Sequence, residues 1–140
     1  MKESKSYSFY FLVLFIGFQG ISGLIGGAVL VIDPTGVLVQ LPTSMLDGSP
    51  FDNFLIPGII LLTILGVFPM IVLYGLTKKR LWSWFGAFTV SVALIIWIGV
   101  EILIVGYHPE PPLQLIYGLL GIIMLGLVLI PSVRRTLKFN

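Results

Sequence analysis

Four long apolar runs, 9–32, 54–76, 82–106 and 113–130, divide the chain, and only Glu101 interrupts them with a formal charge. About 20 helical residues cover the ~30 Å hydrocarbon core of a bilayer, so three runs have length to spare for tilt and the fourth fits closely. Runs this long are not the alternating strands of a barrel. The pattern predicts an all-α, four-helix transmembrane bundle, a single integral membrane domain over 1–140 with an extended, folded outer loop between spans one and two. No linker or internal repeat divides it. A signal peptide is the alternative for the first run, which follows a basic segment and contains Gly26-Gly27-Ala28. That run exceeds the 7 to 15 apolar residues of such a peptide, which favours a retained span.

Helical periodicity places Gln19, Ser22, Gly23, Gly26, Gly27 and Leu30 on one side of the first span, with Gly23 and Gly27 spaced as G-x-x-x-G. Small residues there let another helix approach closely, either inside the bundle or across a homodimer face. Pro69 in the second span removes a backbone donor and predicts a bend. The fourth span aligns Gln114, Tyr117, Gly118 and Gly121 on one stripe, a polar end above small packing residues.

Composition agrees with a membrane setting: 57% of residues are hydrophobic and 10% charged, with a mean hydropathy of +1.08. Soluble proteins hold about a quarter charged residues, so a soluble enzyme, a nucleic-acid binder and a disordered tail are excluded as classes. The absence of cysteine excludes disulfides and thiolate chemistry, and one histidine, His108, excludes a histidine metal cluster. Neither a metal nor a cofactor is expected.

Placement of charge matters more than the net +2. Lys2, Lys5, Lys78, Lys79, Arg80, Arg134, Arg135 and Lys138 all fall on one side of the threaded chain, while the opposite connections carry Asp33, Asp47, Asp52 and Glu110. The positive-inside rule then puts both termini in the cytoplasm and the protein in the plasma membrane. Tyr7, Tyr10, Tyr74, Trp82 and Trp84 mark the inner boundary, and Phe51, Phe54 and Tyr107 the outer one. Lys78 to Arg80 act as topology determinants or as a site for anionic lipid heads.

The 21 residues from Asp33 to Asn53 exceed the 2 to 8 usual between bundle helices. Asp33-Pro34-Thr35-Gly36 fits a type I turn, Val37 to Leu41 are apolar enough to lie on the bundle mouth, and Thr43 is placed to cap a helical turn through Leu46. Pro42, Asp47-Gly48 and Pro50 punctuate the remainder. The expectation is a lid, either a docking surface or ligand gate or a structural plug. Asp33, Asp47 and Asp52 lack calcium-loop spacing and read as solvated or capping carboxylates.

Glu101 lies roughly 7 to 8 Å below the outer end of span three, where a lipid-exposed charge is expensive. Trp97 sits one turn beneath it, and depth brings Gln114, Tyr117 and Thr63 to its level. His108 follows seven residues later, beyond which Pro109, Pro111 and Pro112 end any helix. These residues define a candidate ligand or proton site; the bland alternative is a hydrogen bond from Glu101 to Tyr117 or Gln114 that fixes helix register.

The pattern Gly26-Gly27, Asp33-Pro34-x-Gly36, Pro50-Phe51, Pro57-Gly58 and Trp97-x-x-x-Glu101 resembles that of small uncharacterised prokaryotic four-span membrane proteins, a resemblance that implies the fold and no activity. Small multidrug transporters share the size and a membrane glutamate, but theirs belongs to the first span and this one to the third. Fluoride channels share a glycine-rich first span without a match for their polar pore residues here. With no nucleophile motif, metal set or phosphate loop, the expected function is a non-catalytic accessory or scaffold protein. It binds a membrane protein partner or lipid through the outer loop and helix faces. The alternatives are a homo-oligomeric proton-coupled transporter or channel using Glu101, and an outer-leaflet lipid enzyme pairing Glu101 with His108.

Overall fold

A computed structural model describes residues 7–39, 43–106 and 112–137. They form helices α1 (Tyr7–Ile32), α2 (Leu55–Leu62), α3 (Phe68–Thr77), α4 (Trp82–Val105), α5 (Leu113–Val128) and α6 (Pro131–Thr136), with no strand among them. A π-helical turn, Thr63–Val67, fuses α2 and α3 into one column. Three columns, Tyr7–Ile32, Leu55–Thr77 and Trp82–Ile104, are long and apolar enough to cross a membrane; α5 is a shorter apolar helix.

Neighbouring columns run antiparallel. A Cβ on Gly20, Gly23 or Gly27 of α1 would run into Met70, Leu65 or Leu62 respectively, and one on Gly58 into Leu30, so the pairing register is regular along the seam. Gly75 and Gly86 set the same arrangement between α3 and α4, against Trp82 and Val72. At the α4–α5 seam Gly121 faces Ile95 and Gly118 faces Ile98. The small residues are there because lipid-immersed helices gain attraction by dispersion at short range rather than by hydrophobicity.

The interior is filled by apolar side chains, among them Leu12, Ile16, Leu65, Val72, Leu94 and Met124, all almost fully buried. The outer faces also carry large apolar residues in the open, with Leu103 87% and Ile25 63% exposed, where a water-soluble bundle presents polar ones.

The α3–α4 turn closes with Arg80 N–H donating to Gly75 O and Lys79 N–H to Leu76 O, a Schellman pair with Lys79 in the left-handed region at φ 55°. Beyond α5 the chain makes an extended step at Ile130 and turns into α6, where Pro131 opens the first turn and Val133 and Leu137 are buried against the main core. Neither α6 nor the π turn has a signature in the hydropathy pattern.

Candidate functional site

The described residues of the connection between α1 and α2 are held by local hydrogen bonds. Gly36 N–H donates to Asp33 O, closing the Asp-Pro-Thr-Gly turn, and Gly36 takes φ 81°, which a side chain there would resist. The Asp33 carboxylate accepts from the Thr35 hydroxyl and N–H on one oxygen and from Leu38 N–H at 3.1 Å on the other. The Thr35 hydroxyl first, then the Leu38 amide, hold this carboxyl below the usual aspartate range. Two short 3-10 turns follow, Val37–Val39 and Thr43–Leu46. Residues 40–42, including Pro42, lie outside the described residues.

Leu46 and Phe54 are buried with Leu30 in a small core of their own, with Phe51 packed beside it, and Phe54 N–H donates to Pro34 O at 2.9 Å to tie the two ends together. The Thr43–Leu46 turn also reaches α4. Asp47, Pro50 and Asp52 remain exposed on this folded segment. Among the described residues no group of acidic or histidine side chains is arranged to hold a metal ion.

Glu101 is half-buried on the continuation of the stripe that buries Val90, Leu94 and Ile98 of α4. Trp97, one turn below, packs on the main core. Gln114 is buried and donates from Nε2 to Gly106 O at 3.0 Å, tying the start of α5 to the end of α4. The Tyr117 ring stacks on Phe18 of α1, centroids 5.9 Å apart. Thr63 turns its hydroxyl back to Ile59 O of its own column. His108 lies outside the described residues.

A shallow open groove of about 210 Å³ runs beside Gln114, walled by Ile98, Ile102, Leu115, Gly118, Leu119 and Ile122. Glu101, Trp97 and Tyr117 do not contribute to it, so its character is apolar with one amide at its end.

The most specific polar contact is deeper. Pro69 has no N–H, so Leu65 O loses the donor that residue 69 supplies in a regular α-helix. The π turn is the local response, with Phe68 N–H donating to Thr63 O. Gln19 Nε2 of α1 crosses the seam to donate to Leu65 O at 3.1 Å. Gln19 is 2% exposed, and its Oε1 has no hydrogen-bond partner among the described residues. Gly23 and Gly66 bring the backbones close enough for this bridge: a Cβ on Gly66 would lie 2.8 Å from Leu24 N. Ser22 is half-buried on the same helix, and Gly26 faces the Leu61 side chain. Sequence reasoning marked both Gln19 and Pro69 without joining them; the signal available was a freed carbonyl in one apolar run and a lone amide at matching depth in another.

At the other end, Trp84 Nε1 donates to Val128 O at 2.9 Å, supplying a donor to the last turn of α5, and the Arg134 guanidinium lies over the same indole at 4.6 Å. No protein family, curated protein or solved structure matches this chain.

Proposed function

We propose that the chain is a four-span accessory or scaffold protein of the plasma membrane, with both termini cytoplasmic and the α1–α2 connection outside. It recognises a membrane protein partner through that connection. The observation that carries this reading is the connection itself. It buries Leu46 and Phe54 in a dedicated core, and it presents Asp47 and Asp52 on a formed surface. A segment this ordered restricts the entropy that a loop would otherwise lose on binding.

Support for the fourth span comes from α5 being tied to α4 at both ends, by Gln114 to Gly106 and by Val128 to the Trp84 indole. Its 16 residues amount to about 24 Å, to which apolar Leu129 and Ile130 add. Sidedness is supported by Asp33, Asp47 and Asp52 grouping at one end of the bundle and the described basic residues at the other.

The test is site-specific photocrosslinking in the native host membrane. A crosslinker at Asp47 or Asp52 is expected to join one defined companion protein, whereas one on the exposed lipid-facing Ile25 is expected to join none. Equal, indiscriminate crosslinking from both positions would remove the docking surface.

A second reading, proton-coupled transport by a homo-oligomer, draws on Glu101 lying on the inward stripe of α4. It needs a path between copies, because the described interior of one chain is filled with apolar side chains. Glu101→Gln would then abolish proton-dependent flux in liposomes; unchanged flux removes this alternative.

A further inference from the structure

We propose that the basic end of the bundle is a binding site for the phosphate headgroups of anionic phospholipids. Lys78, Lys79 and Arg80 occupy the α3–α4 turn, and Arg134 and Arg135 the last turn of α6. The two segments belong to one surface. Arg134 lies over Trp84 at 4.6 Å and over Phe85 at 5.5 Å, on the first turn of α4, which the basic turn leads into.

Three features make this more than a scatter of topology charges. First, the arginine is held in place: its indole platform is fixed by the Trp84 hydrogen bond to Val128 O, so Arg134 need not be ordered on binding. Secondly, α6 is docked by Val133 and Leu137, 0% and 3% exposed, which leaves Arg134 and Arg135 on its open side. Thirdly, every described carboxylate, Asp33, Asp47, Asp52 and Glu101, stands in or near the opposite end of the bundle. Exposed Tyr74 and Trp82 flank the patch, side chains suited to the boundary between hydrocarbon and headgroups. Clustered cations at a fixed depth match a layer of phosphodiester anions, and arginine adds paired N–H donors.

This inference rests on the helices crossing a bilayer and is independent of the protein partner. The experiment is native mass spectrometry of the protein released from nanodiscs made of equal phosphatidylcholine and phosphatidylglycerol. Adducts enriched in phosphatidylglycerol are expected, and the Arg134→Gln/Arg135→Gln pair should reduce that enrichment at least tenfold, at about fivefold per residue. Arg134→Lys/Arg135→Lys should retain most of it. The glutamine pair leaves the other basic residues to fix orientation, and circular dichroism verifies that the variant remains folded. Equal retention of both lipids by the folded wild type overturns the proposal, and displacement by excess inorganic phosphate reassigns the patch to free anions and also overturns it. Incorporation into phosphatidylcholine-only discs is scored separately: failure there overturns the spanning helices, whereas incorporation without lipid preference overturns only this site.

Discussion

Two of the helix seams that hold the bundle together are built differently. Between α1 and the second column, glycines bring backbone against backbone, and a buried amide bridges to a carbonyl orphaned by proline. Between α4 and α5, Gly118 and Gly121 most closely face side-chain atoms, of Ile98 and Ile95, the polar ties sit at the two ends, and a groove opens along the outside. In lipid, where apolar side chains gain little by leaving the solvent, close backbone approach and interhelical hydrogen bonds decide which pair is rigid. The first seam is therefore the more tightly constrained of the two.

Substitution at the tightest point should separate the seams most widely. Gly23→Leu places a side chain where Leu65 backbone stands, and a loss of about 3 kcal/mol or failure to assemble is expected. Gly121→Ala meets the Ile95 Cγ1 at 2.9 Å, a side-chain atom able to yield, and should cost about 1 kcal/mol or less. Reversible unfolding in mixed micelles measures both; equal losses would erase the contrast.

The amide bridge is tested by a cycle. Gln19→Met leaves Leu65 O without its side-chain donor and should cost about 1 kcal/mol. Pro69→Ala restores the residue 69 N–H, and in that background Gln19→Met should be nearly neutral, since it also removes the unpartnered Oε1. The same cost in both backgrounds would show that Gln19 does not answer the proline.

Gln114→Met should release the end of α4 only, seen as faster hydrogen exchange around Gly106 with little change near Leu65. The smallest effect concerns Asp33. Its carboxyl titrates lower folded than unfolded, so the ordering it gives is complete above the unfolded value near 3.9 and is lost as pH falls through the lower folded value. Exchange at the Thr35 and Leu38 amides should rise relative to the α1 core on acidification, and Asp33→Ala should abolish that pH dependence.

The sequence pattern carries the long helices because hydropathy and proline placement are local: runs 9–32, 54–76 and 82–106 correspond to columns 7–32, 55–77 and 82–104. The Asp33 turn is equally local, since its partners lie within five residues. The Gln19 bridge spans 46 positions and the Trp84 bond 44, and neither pairing follows from periodicity. Depth counting placed Tyr117 and Gln114 at the level of Glu101, whereas the stacking of Tyr117 on Phe18 and the bond from Gln114 to Gly106 depend on rotation as well as depth. Helix α6 escaped notice because six residues are too short for a periodic signal and its basic pair reads as topology.

The central claim, that the α1–α2 connection is presented to a partner, is tested most directly by native mass spectrometry of the protein extracted gently from its host membranes. The account predicts a second polypeptide at fixed stoichiometry, lost when Asp47 and Asp52 are both replaced by lysine. A monomer or homo-oligomer of this chain alone, unchanged by those replacements, would contradict it.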